Sequence, residues 1–321
     1  MDLDPPATSA PVTPRMLVPE RVPPADWPAL GAFIFRNNRT ADGRVRCLHG
    51  EQGGDERSHV AELAELASGS AGFWRAAGPC GEALGVIGCE VDSSQRRAWI
   101  RGPWAVPGPS SASLEAALLD ALERALPEIT RLDAFPSEDD EPLATLYRGA
   151  GYGRLDVHRV MQAKLGAGTA TDADPRIRPA RSDDFGQWLL LHHGLFPGSY
   201  LSDDEIAAAI SDGTRLVLTA WLDGRPSGYL IAKDDATMDE LYVDYLGVDP
   251  AARGNGLGRA LLDGAMHWGA CCGRGRAALT VRQDRKEALS LYLQCGFHQA
   301  RAGVHWRKER AEFAASPAAE R

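Results

Sequence analysis

The sequence lacks paired cysteines, long apolar runs and an excess of positive charge. Its six cysteines form no Cys-x-x-Cys pair and show no zinc-ligand spacing, so we expect reduced thiols and no metal. No apolar run approaches the roughly 18–20 residues of a membrane-spanning helix, and the polar start of the chain does not resemble a signal peptide. The net charge of −9 argues against nucleic acid or a membrane as a partner. These absences favour a cytoplasmic protein.

The chain is long enough for two domains. Its 321 residues suit two domains better than one, and residues 165–175 are small, polar and without periodicity, as expected of a linker. The first residues are rich in Pro, Ser and Thr and the last in Ala and charge, which is typical of disordered tails. We therefore predict a tail at 1–16, a first domain at 17–164, a linker at 165–175, a second domain at 176–308 and a tail at 309–321. We expect a monomer or a homodimer.

The second domain shows a mixed α/β order of elements. Ser202–Glu205 is a capping box that opens a helix, and Asp223–Pro226 has the composition of a β-hairpin turn. A strand at Leu241–Val248 precedes a glycine-rich loop and a helix that begins near Gly256. A further strand, a helix at Lys286–Gln294 and a last strand pair follow. This order predicts an α/β fold.

The loop between that strand and that helix is the most informative stretch. It has glycines at positions 254, 256 and 258 and arginines at positions 253 and 259. Glycine lets the backbone turn sharply and approach a ligand closely, and the first turn of a helix offers unpaired N–H groups at a positive dipole end. Together these features can bind a pyrophosphate. The spacing fits neither the G-x-G-x-x-G dinucleotide fingerprint nor a phosphate-binding loop ending in Gly-Lys-Ser/Thr.

Two motifs resemble those of a known family. Residues 246–258, Leu-Gly-Val-Asp-Pro-Ala-Ala-Arg-Gly-Asn-Gly-Leu-Gly, resemble the signature Q/R-x-x-G-x-G/A of the Gcn5-related N-acetyltransferases (GNAT), which follows a strand. Residues 288–297, Ala-Leu-Ser-Leu-Tyr-Leu-Gln-Cys-Gly-Phe, resemble the second signature of that family, A-x-x-L-Y-x-x-x-G-F. Both motifs occur in the family's order and on the elements that carry them in the family. The second domain is therefore similar to a GNAT domain.

The resemblance implies a fold and a co-substrate. In a strongly twisted mixed sheet, the strands Leu241–Val248 and Ala277–Val281 would splay apart, and the pantetheine arm of acetyl-CoA would lie in the gap. The family often has an asparagine three residues before the alanine of the second motif, and Arg285 stands there instead, where it could reach the cofactor phosphates. The implied cofactor-binding residues are Leu246, Gly247, Val248, Arg253, Gly254, Asn255, Gly256, Leu257, Gly258, Arg259 and Arg285.

The first domain repeats this pattern in a weaker form. Tyr147 and Gly151 stand 145 residues before Tyr292 and Gly296. The strand at 98–106 matches the strand at 241–248, with an offset of 142 when their last residues are aligned. The loop that follows, residues 107–113, is shorter and lacks two of the three glycines and both arginines. It also contains two prolines, which have no N–H to donate.

We therefore predict two tandem GNAT-like domains, each a twisted mixed, mostly antiparallel sheet flanked by helices. The first would be degenerate, binding no acetyl-CoA productively and shaping the acceptor cleft. Mycothiol synthase and other two-domain acetyltransferases share this organisation. The alternative is an unrelated α/β domain with a chance L-Y-x-x-x-G-Y motif.

Acetyl transfer to an amine needs a neutral nitrogen, a stabilised oxyanion and a proton for the departing thiolate. The resemblance implies that Tyr292 is the general acid and that the backbone N–H near Val248 is the oxyanion donor. Many relatives carry a glutamate base eleven residues before the arginine of the loop, and Tyr242 stands there instead.

Three residues are candidates for the missing base. Because side chains alternate along a strand, Glu240, Tyr242 and Asp244 share one face. Asp244 is the first candidate, and Glu240 could act through water. Alternatively, Asp244 binds the substrate cation or is simply solvated. The pair His192-His193 has no third ligand at metal spacing, so we expect two histidines on a helix surface.

The leading hypothesis is an acetyl-CoA-dependent N-acetyltransferase in which the second domain transfers acetyl directly to a primary amine in a ternary complex. The amine would belong to a small molecule or a peptide. The alternatives are a non-catalytic acyl-CoA-binding or regulatory module and a longer-chain acyltransferase on the same fold.

Overall fold

The computed structural model describes residues 18–49, 55–67, 69–166, 174–197, 199 and 201–311. The predicted tail at 1–16 and most of the predicted linker and of the last tail lie outside these residues. The helices are α1 (Trp27–Asn37), α2 (Glu56–Leu66), α3 (Ser111–Ala125), α4 (Glu141–Gly149), α5 (Phe185–Leu195), α6 (Asp203–Asp212), α7 (Leu257–Cys271) and α8 (Lys286–Gln294). None of these helices in the described ranges has the length and apolar character needed to cross a bilayer.

Within the described residues, twelve strands form one continuous sheet in the order β1-β2-β3-β4-β5-β12-β6-β11-β10-β9-β8-β7. In the first half they are β1 (Glu20–Val22), β2 (Ala71–Ala77), β3 (Ala83–Asp92), β4 (Arg97–Ala105), β5 (Arg131–Ala134) and β6 (Gly153–Lys164). In the second half they are β7 (Ile177–Pro179), β8 (Arg215–Leu222), β9 (Arg225–Asp235), β10 (Glu240–Val248), β11 (Arg276–Arg282) and β12 (His298–Glu309). Among these described strands only the pairs β4–β5 and β10–β11 are parallel, so the predicted mixed, mostly antiparallel sheet is confirmed.

The two halves exchange their last strands. Strand β6, which ends the first half, pairs with β11 of the second half. Strand β12, which ends the second half, pairs with β5 of the first half, and β6 and β12 lie side by side at the centre of the sheet. The two predicted sheets are therefore one sheet, because each half supplies the strand that completes the other.

Helices cover both faces of this sheet. On one face, α3 and α4 pack on the first half and α7 and α8 on the second, and each pair buries its own apolar core. On the other face, α1 and α2 cover the far end of the first half, and α5 and α6 cover the far end of the second. On this second face no helix of the described residues covers the central strands, and only the loop residues Val45 and Leu48 pack there, on Val160 of β6.

Local signals in the sequence form as predicted. Ser202 and Glu205 make the capping box at the start of α6, with both reciprocal hydrogen bonds present. Asp223 and Gly224 both have positive φ in the two-residue turn between β8 and β9, as a tight hairpin requires. Helix α8 has the predicted boundaries.

The two halves share one pairing register. Arg97 pairs with Arg131 across β4 and β5, and Glu240 pairs with Arg276 across β10 and β11. The offset between β4 and β10 is therefore 240 − 97 = 143, and that between β5 and β11 is 276 − 131 = 145. The sequence analysis aligned Val106 with Val248, and this alignment was wrong by one residue. Strand β4 ends at Ala105, which is the residue that corresponds to Val248.

The prediction that His192 and His193 both lie on a helix surface was half wrong. The side chain of His193 is 54% exposed, but His192 is fully buried among aromatic rings. The sequence shows only that they are neighbours. Which of two adjacent residues faces the core depends on the rotation of α5 about its axis.

Candidate functional site

A notch opens between β10 and β11. The two strands pair only from Glu240–Arg276 to Val243–Leu279, although β10 continues to Val248 and β11 to Arg282. The next three residues of β11 are paired with β6 on their far side, while no backbone hydrogen bond reaches them from the β10 side within the described ranges. This is the splayed pair that the resemblance implied.

A β-bulge sets which side chains face each side of the notch. The pairing of β10 with β9 shifts between Val243 and Tyr245, so the alternation of side chains changes by one residue there. Beyond the bulge, Leu246 and Val248 pack toward α7, whereas Tyr245 packs toward α5. The residues predicted to contact pantetheine, Leu246, Gly247 and Val248, therefore lie on the part of β10 that is separated from β11 but still paired with β9.

The glycine loop stands at the open end of this notch. Gly254 and Gly256 have φ of +82° and +77°, and Gly256 is the N-cap of α7. A side chain would meet nothing within 4 Å at either position, so backbone conformation and not space requires glycine there. The N–H groups of Leu257, Gly258 and Arg259 in the first turn of α7 have no intrahelical acceptor and can bind an anion.

Other side chains hold this loop in place. Arg253 donates to the Val248 carbonyl at 3.4 Å, and Arg259 donates to the Gln294 carbonyl at 3.2 Å. Arg176, which sequence analysis did not single out, donates to the Asn255 carbonyl at 2.9 Å. A Cβ on Gly258 would approach the Leu291 side chain to 3.2 Å, so this glycine permits close packing of α7 on α8.

Tyr292 lies on α8 in the core below the notch. It is 7% exposed, and its ring packs on Phe297 with centroids 5.9 Å apart. Burial raises the pKa of its hydroxyl to about 12, so the group is protonated at neutral pH and can act as an acid. No described residue forms a hydrogen bond with this hydroxyl.

The three predicted base candidates lie in different environments. Asp244 lines the uncovered face of the sheet but forms an ion pair with Arg215 of β8. Glu240 is 1% exposed and paired with Arg276 at 2.7 Å, and burial raises its pKa to about 7. Tyr242 also faces the uncovered side, and burial raises its pKa to about 12.

Thr280 is a further polar residue that the sequence did not reveal. It lies one residue beyond the last β10–β11 pair and accepts a 3.0 Å hydrogen bond from the Tyr242 hydroxyl. This bond bridges the two strands at the base of the notch. No sequence signal marks Thr280, because its role depends on where the two strands separate.

The equivalent notch of the first half is filled by its own chain. Leu48 donates to the Phe135 carbonyl at 2.9 Å, Cys47 forms a β-bridge with Pro136, and Ser137 donates to the Arg46 carbonyl at 2.7 Å. On the other side, the Gly102 N–H of β4 contacts the Cys47 sulfur at 3.4 Å. We call residues 46–48 the plug, since they lie between β4 and the extension of β5.

Charges in the first half also oppose a phosphate ligand. The plug residue Arg46 is nearly buried and binds Glu115 of α3 at 2.7 Å and Asp140 at 2.8 Å. Asp140 is the N-cap of α4, and Arg285 is the N-cap of α8, 145 residues later. The same position therefore carries a carboxylate in the plugged half and an exposed guanidinium in the open half.

A cleft of about 1170 Å³ lies on the uncovered face between the two helical pairs. Tyr242, Asp244 and Thr280 line its second-half end, and Trp99 and His305 line its first-half end. Its charged lining residues are six carboxylates (Glu62, Glu65, Glu90, Asp92, Glu205 and Asp244) and three cations (Arg97, Arg101 and Lys233). The cleft therefore favours a cationic ligand.

Comparison with known proteins gives one family match and several relatives. Residues 179–297 match the acetyltransferase (GNAT) family. A mycothiol acetyltransferase from Clavibacter sepedonicus is 32% identical over 158 residues, which are 46% of this chain and 51% of that protein. The chain thus matches about half the length of this curated relative.

Two solved structures are similar over nearly the whole chain. A GCN5-related N-acetyltransferase from Sphaerobacter thermophilus has a TM-score of 0.68 at 17% identity and covers 89% of this chain and 95% of its own. A tandem GNAT protein from the clavulanic acid biosynthesis pathway has a TM-score of 0.64 at 15% identity, and the match covers 89% of this chain and 94% of that protein. At these identities the likeness concerns the fold.

Proposed function

We propose that the second half of this chain, which is a GNAT domain, transfers an acetyl group from acetyl-CoA to a primary amine. One observation carries the proposal: the β10–β11 notch is open and ends at a glycine loop, whereas the equivalent notch of the first half is plugged. A single acetyl-CoA would bind per chain, with its pyrophosphate at Gly254–Arg259 and its pantetheine along Leu246–Val248. The relative from Clavibacter sepedonicus supports this assignment by its name.

Each residue around the notch would have its own role in a direct transfer of the acetyl group. The amine nitrogen attacks the thioester carbonyl carbon, the C–S bond breaks, and the thiolate takes a proton from Tyr292. The N–H of Val248 would donate to the oxyanion, because β10 is no longer paired with β11 there. The proton that the amine loses would pass to Asp244 or to water in the cleft. The Arg215 ion pair stabilises the ionised carboxylate of Asp244, so either role of Asp244, as base or as ligand of the substrate cation, would require the acceptor to compete with Arg215.

The acceptor would be a cationic amine held in the cleft. The six carboxylates there outnumber the three cations, and Tyr242 and Thr280 bring hydroxyl groups to the end nearest the notch. An extended amine could touch both halves of the chain, since side chains of both line the cleft. This assigns the plugged half a structural and acceptor-shaping role.

Calorimetric titration of acetyl-CoA tests the proposal. Wild-type protein is expected to bind one equivalent, Arg253→Glu to lose binding, and Arg36→Glu, a charge reversal on the exposed face of α1, to keep it. Two equivalents would show that the plug opens, and no binding would end the acetyltransferase proposal. Thiol release with a panel of amines comes next, and binding without transfer would favour the non-catalytic acyl-CoA-binding module. Competition by acyl-CoA of increasing chain length would reveal a longer-chain acyltransferase.

A further inference from the structure

His192 is the centre of an aromatic cluster beneath α5. Its ring stacks on Trp188 with centroids 5.4 Å apart, and a 2.7 Å hydrogen bond joins its Nδ1 to the hydroxyl of Tyr229 on β9. Tyr245 of β10 meets the ring edge-on at 5.2 Å, and Phe196 stacks on it at 6.2 Å. One fully buried imidazole therefore contacts α5, β9 and β10.

Packing alone does not account for an imidazole at this position. Its Nε2 and the Nε1 of Trp188 are buried without a hydrogen-bond partner among the described residues. A buried polar atom left unpaired costs about 1–3 kcal/mol, which an apolar ring would avoid. The ring is neutral at pH 7, because burial lowers its pKa and the neighbouring His193 lowers it further, against a smaller opposite effect of Asp203 on α6.

The cluster touches the cofactor strand at Gly247. A Cβ there would lie 2.8 Å from Leu195 and 2.9 Å from Phe196, so the end of α5 rests directly on the backbone between Leu246 and Val248. Any other residue type at this position would displace the Leu195 or Phe196 side chain.

The same cluster also supports the acceptor cleft. The Ser199 hydroxyl donates to the hydroxyl of Tyr245 at 2.9 Å, and Ser199 lines the cleft. Tyr245 is thus shared between the wall of the cleft and the ring of His192. The cluster therefore lies between the notch and the cleft, in contact with residues of both.

We propose that His192 is a positioning residue for acetyl transfer. By its bond to Tyr229 and its contacts with Phe196 and Tyr245, it holds the end of α5 against β10 and so sets the distance from the acceptor wall to the notch. The inference rests on the proposed function of the second half. It assigns His192 no contact with substrate.

Three variants test this role. His192→Phe keeps the ring and removes the bond to Tyr229, and His192→Asn keeps a polar partner near the position of Nδ1. His193→Phe, at the exposed neighbouring position, is the matched control. For the best amine of the panel, we expect His192→Phe to raise the acceptor KM at least fivefold while the acetyl-CoA Kd changes less than twofold. We expect His192→Asn to restore most of the acceptor KM.

A readout other than activity separates this inference from the proposed function. Amide hydrogen exchange in peptides containing Phe196 and Tyr245 is expected to accelerate in His192→Phe and to stay unchanged in His193→Phe. If no amine is acetylated by wild type while these exchange rates differ as expected, the proposed function fails and the contact role of His192 stands. If His192→Phe keeps the wild-type acceptor KM and exchange rates, His192 is a packing residue and the inference is overturned.

Discussion

The hydroxyl of Tyr147 donates a hydrogen bond to the backbone carbonyl of Gly102, and Tyr147 is thereby tied to β4. Tyr292, at the equivalent position of the second half, has no such bond within the described ranges. Two tyrosines that stand 145 residues apart in the same motif therefore differ in what their hydroxyls can do. The Tyr147 hydroxyl already donates to a backbone carbonyl, whereas the Tyr292 hydroxyl is able to donate to a ligand.

This difference predicts opposite effects of the same substitution. Tyr292→Phe is expected to lower kcat by about 10²–10⁴-fold, the usual contribution of a positioned acid, with little change in the acetyl-CoA Kd. Tyr147→Phe should leave kcat unchanged and lower the free energy of unfolding by about 1–3 kcal/mol, because the Gly102 carbonyl loses its partner. Steady-state kinetics and chemical denaturation of both variants check the pair. Equal activity of Tyr292→Phe and wild type would remove Tyr292 from the mechanism.

The opposed charges of Asp140 and Arg285 give a second prediction. Arg285→Asp would give α8 the same negatively charged N-cap that Asp140 gives α4. The carboxylate would repel phosphate groups, so the affinity for acetyl-CoA should fall about tenfold or more at low salt. The loss should shrink as salt is added, since the position is exposed. Lys286→Asp, at the adjacent exposed residue, is the control for general surface charge. Calorimetry at two ionic strengths checks this, and equal losses in both variants would contradict a specific contact of Arg285.

The plug gives a third prediction, on stability. Arg46→Met would leave Glu115 and Asp140 buried without their shared cation, which should cost about 3–5 kcal/mol. Arg44→Met, two residues earlier, removes a pair with Asp42 in which both side chains are more than half exposed, so the free energy of unfolding should stay close to that of wild type. Urea denaturation distinguishes the two. A cost below 1 kcal/mol for Arg46→Met would mean that the plug is not held by this cluster.

Glu240 gives a prediction on pH. Its pKa is raised to about 7 in the folded protein, chiefly by burial, against about 4.5 when unfolded. The folded state therefore binds the proton more tightly, so the contribution of Glu240 to stability is fully present below pH 4.5 and is lost as pH rises through 7. Without the Glu240 carboxyl, the free energy of unfolding should decline less over that pH window than it does in wild type, by about 2–3 kcal/mol. Thermal unfolding of Glu240→Gln and of the exposed control Glu141→Gln from pH 4.5 to 8 checks this. An unchanged slope in Glu240→Gln would contradict the raised pKa.

Local chemistry in the sequence was enough for much of the fold and of the candidate cofactor site. The glycine loop, the capping box at Ser202 and the hairpin turn at Asp223 each depend on residue types with special backbone or hydrogen-bonding properties. The repeat of Tyr147 by Tyr292 indicated two similar halves. These features are short-range, so a single sequence reveals them.

The candidate acceptor site was much less accessible to sequence reasoning. Asp244 and Glu240 were placed on one face by strand alternation, yet only Asp244 of the two lines the cleft, and each carboxylate is held by a different arginine. Thr280 became a candidate only through the separation of β10 from β11, and His192 only through the rotation of α5. Each of these outcomes depends on contacts between residues that are distant in the chain.

By itself the sequence determined that the second half is similar to an acetyltransferase domain and that the first half repeats its order of elements. Only the tertiary structure decided that each half receives the last strand of the other, β12 beside β5 and β6 beside β11. It also decided that residues 46–48 fill the notch of the first half while that of the second stays open, and that a cleft forms between the halves. The physical reason is that turns, caps and glycine loops are governed by neighbouring residues. Strand exchange, plugging and cleft formation depend on which surfaces bury each other, and sequence spacing carries no direct record of that.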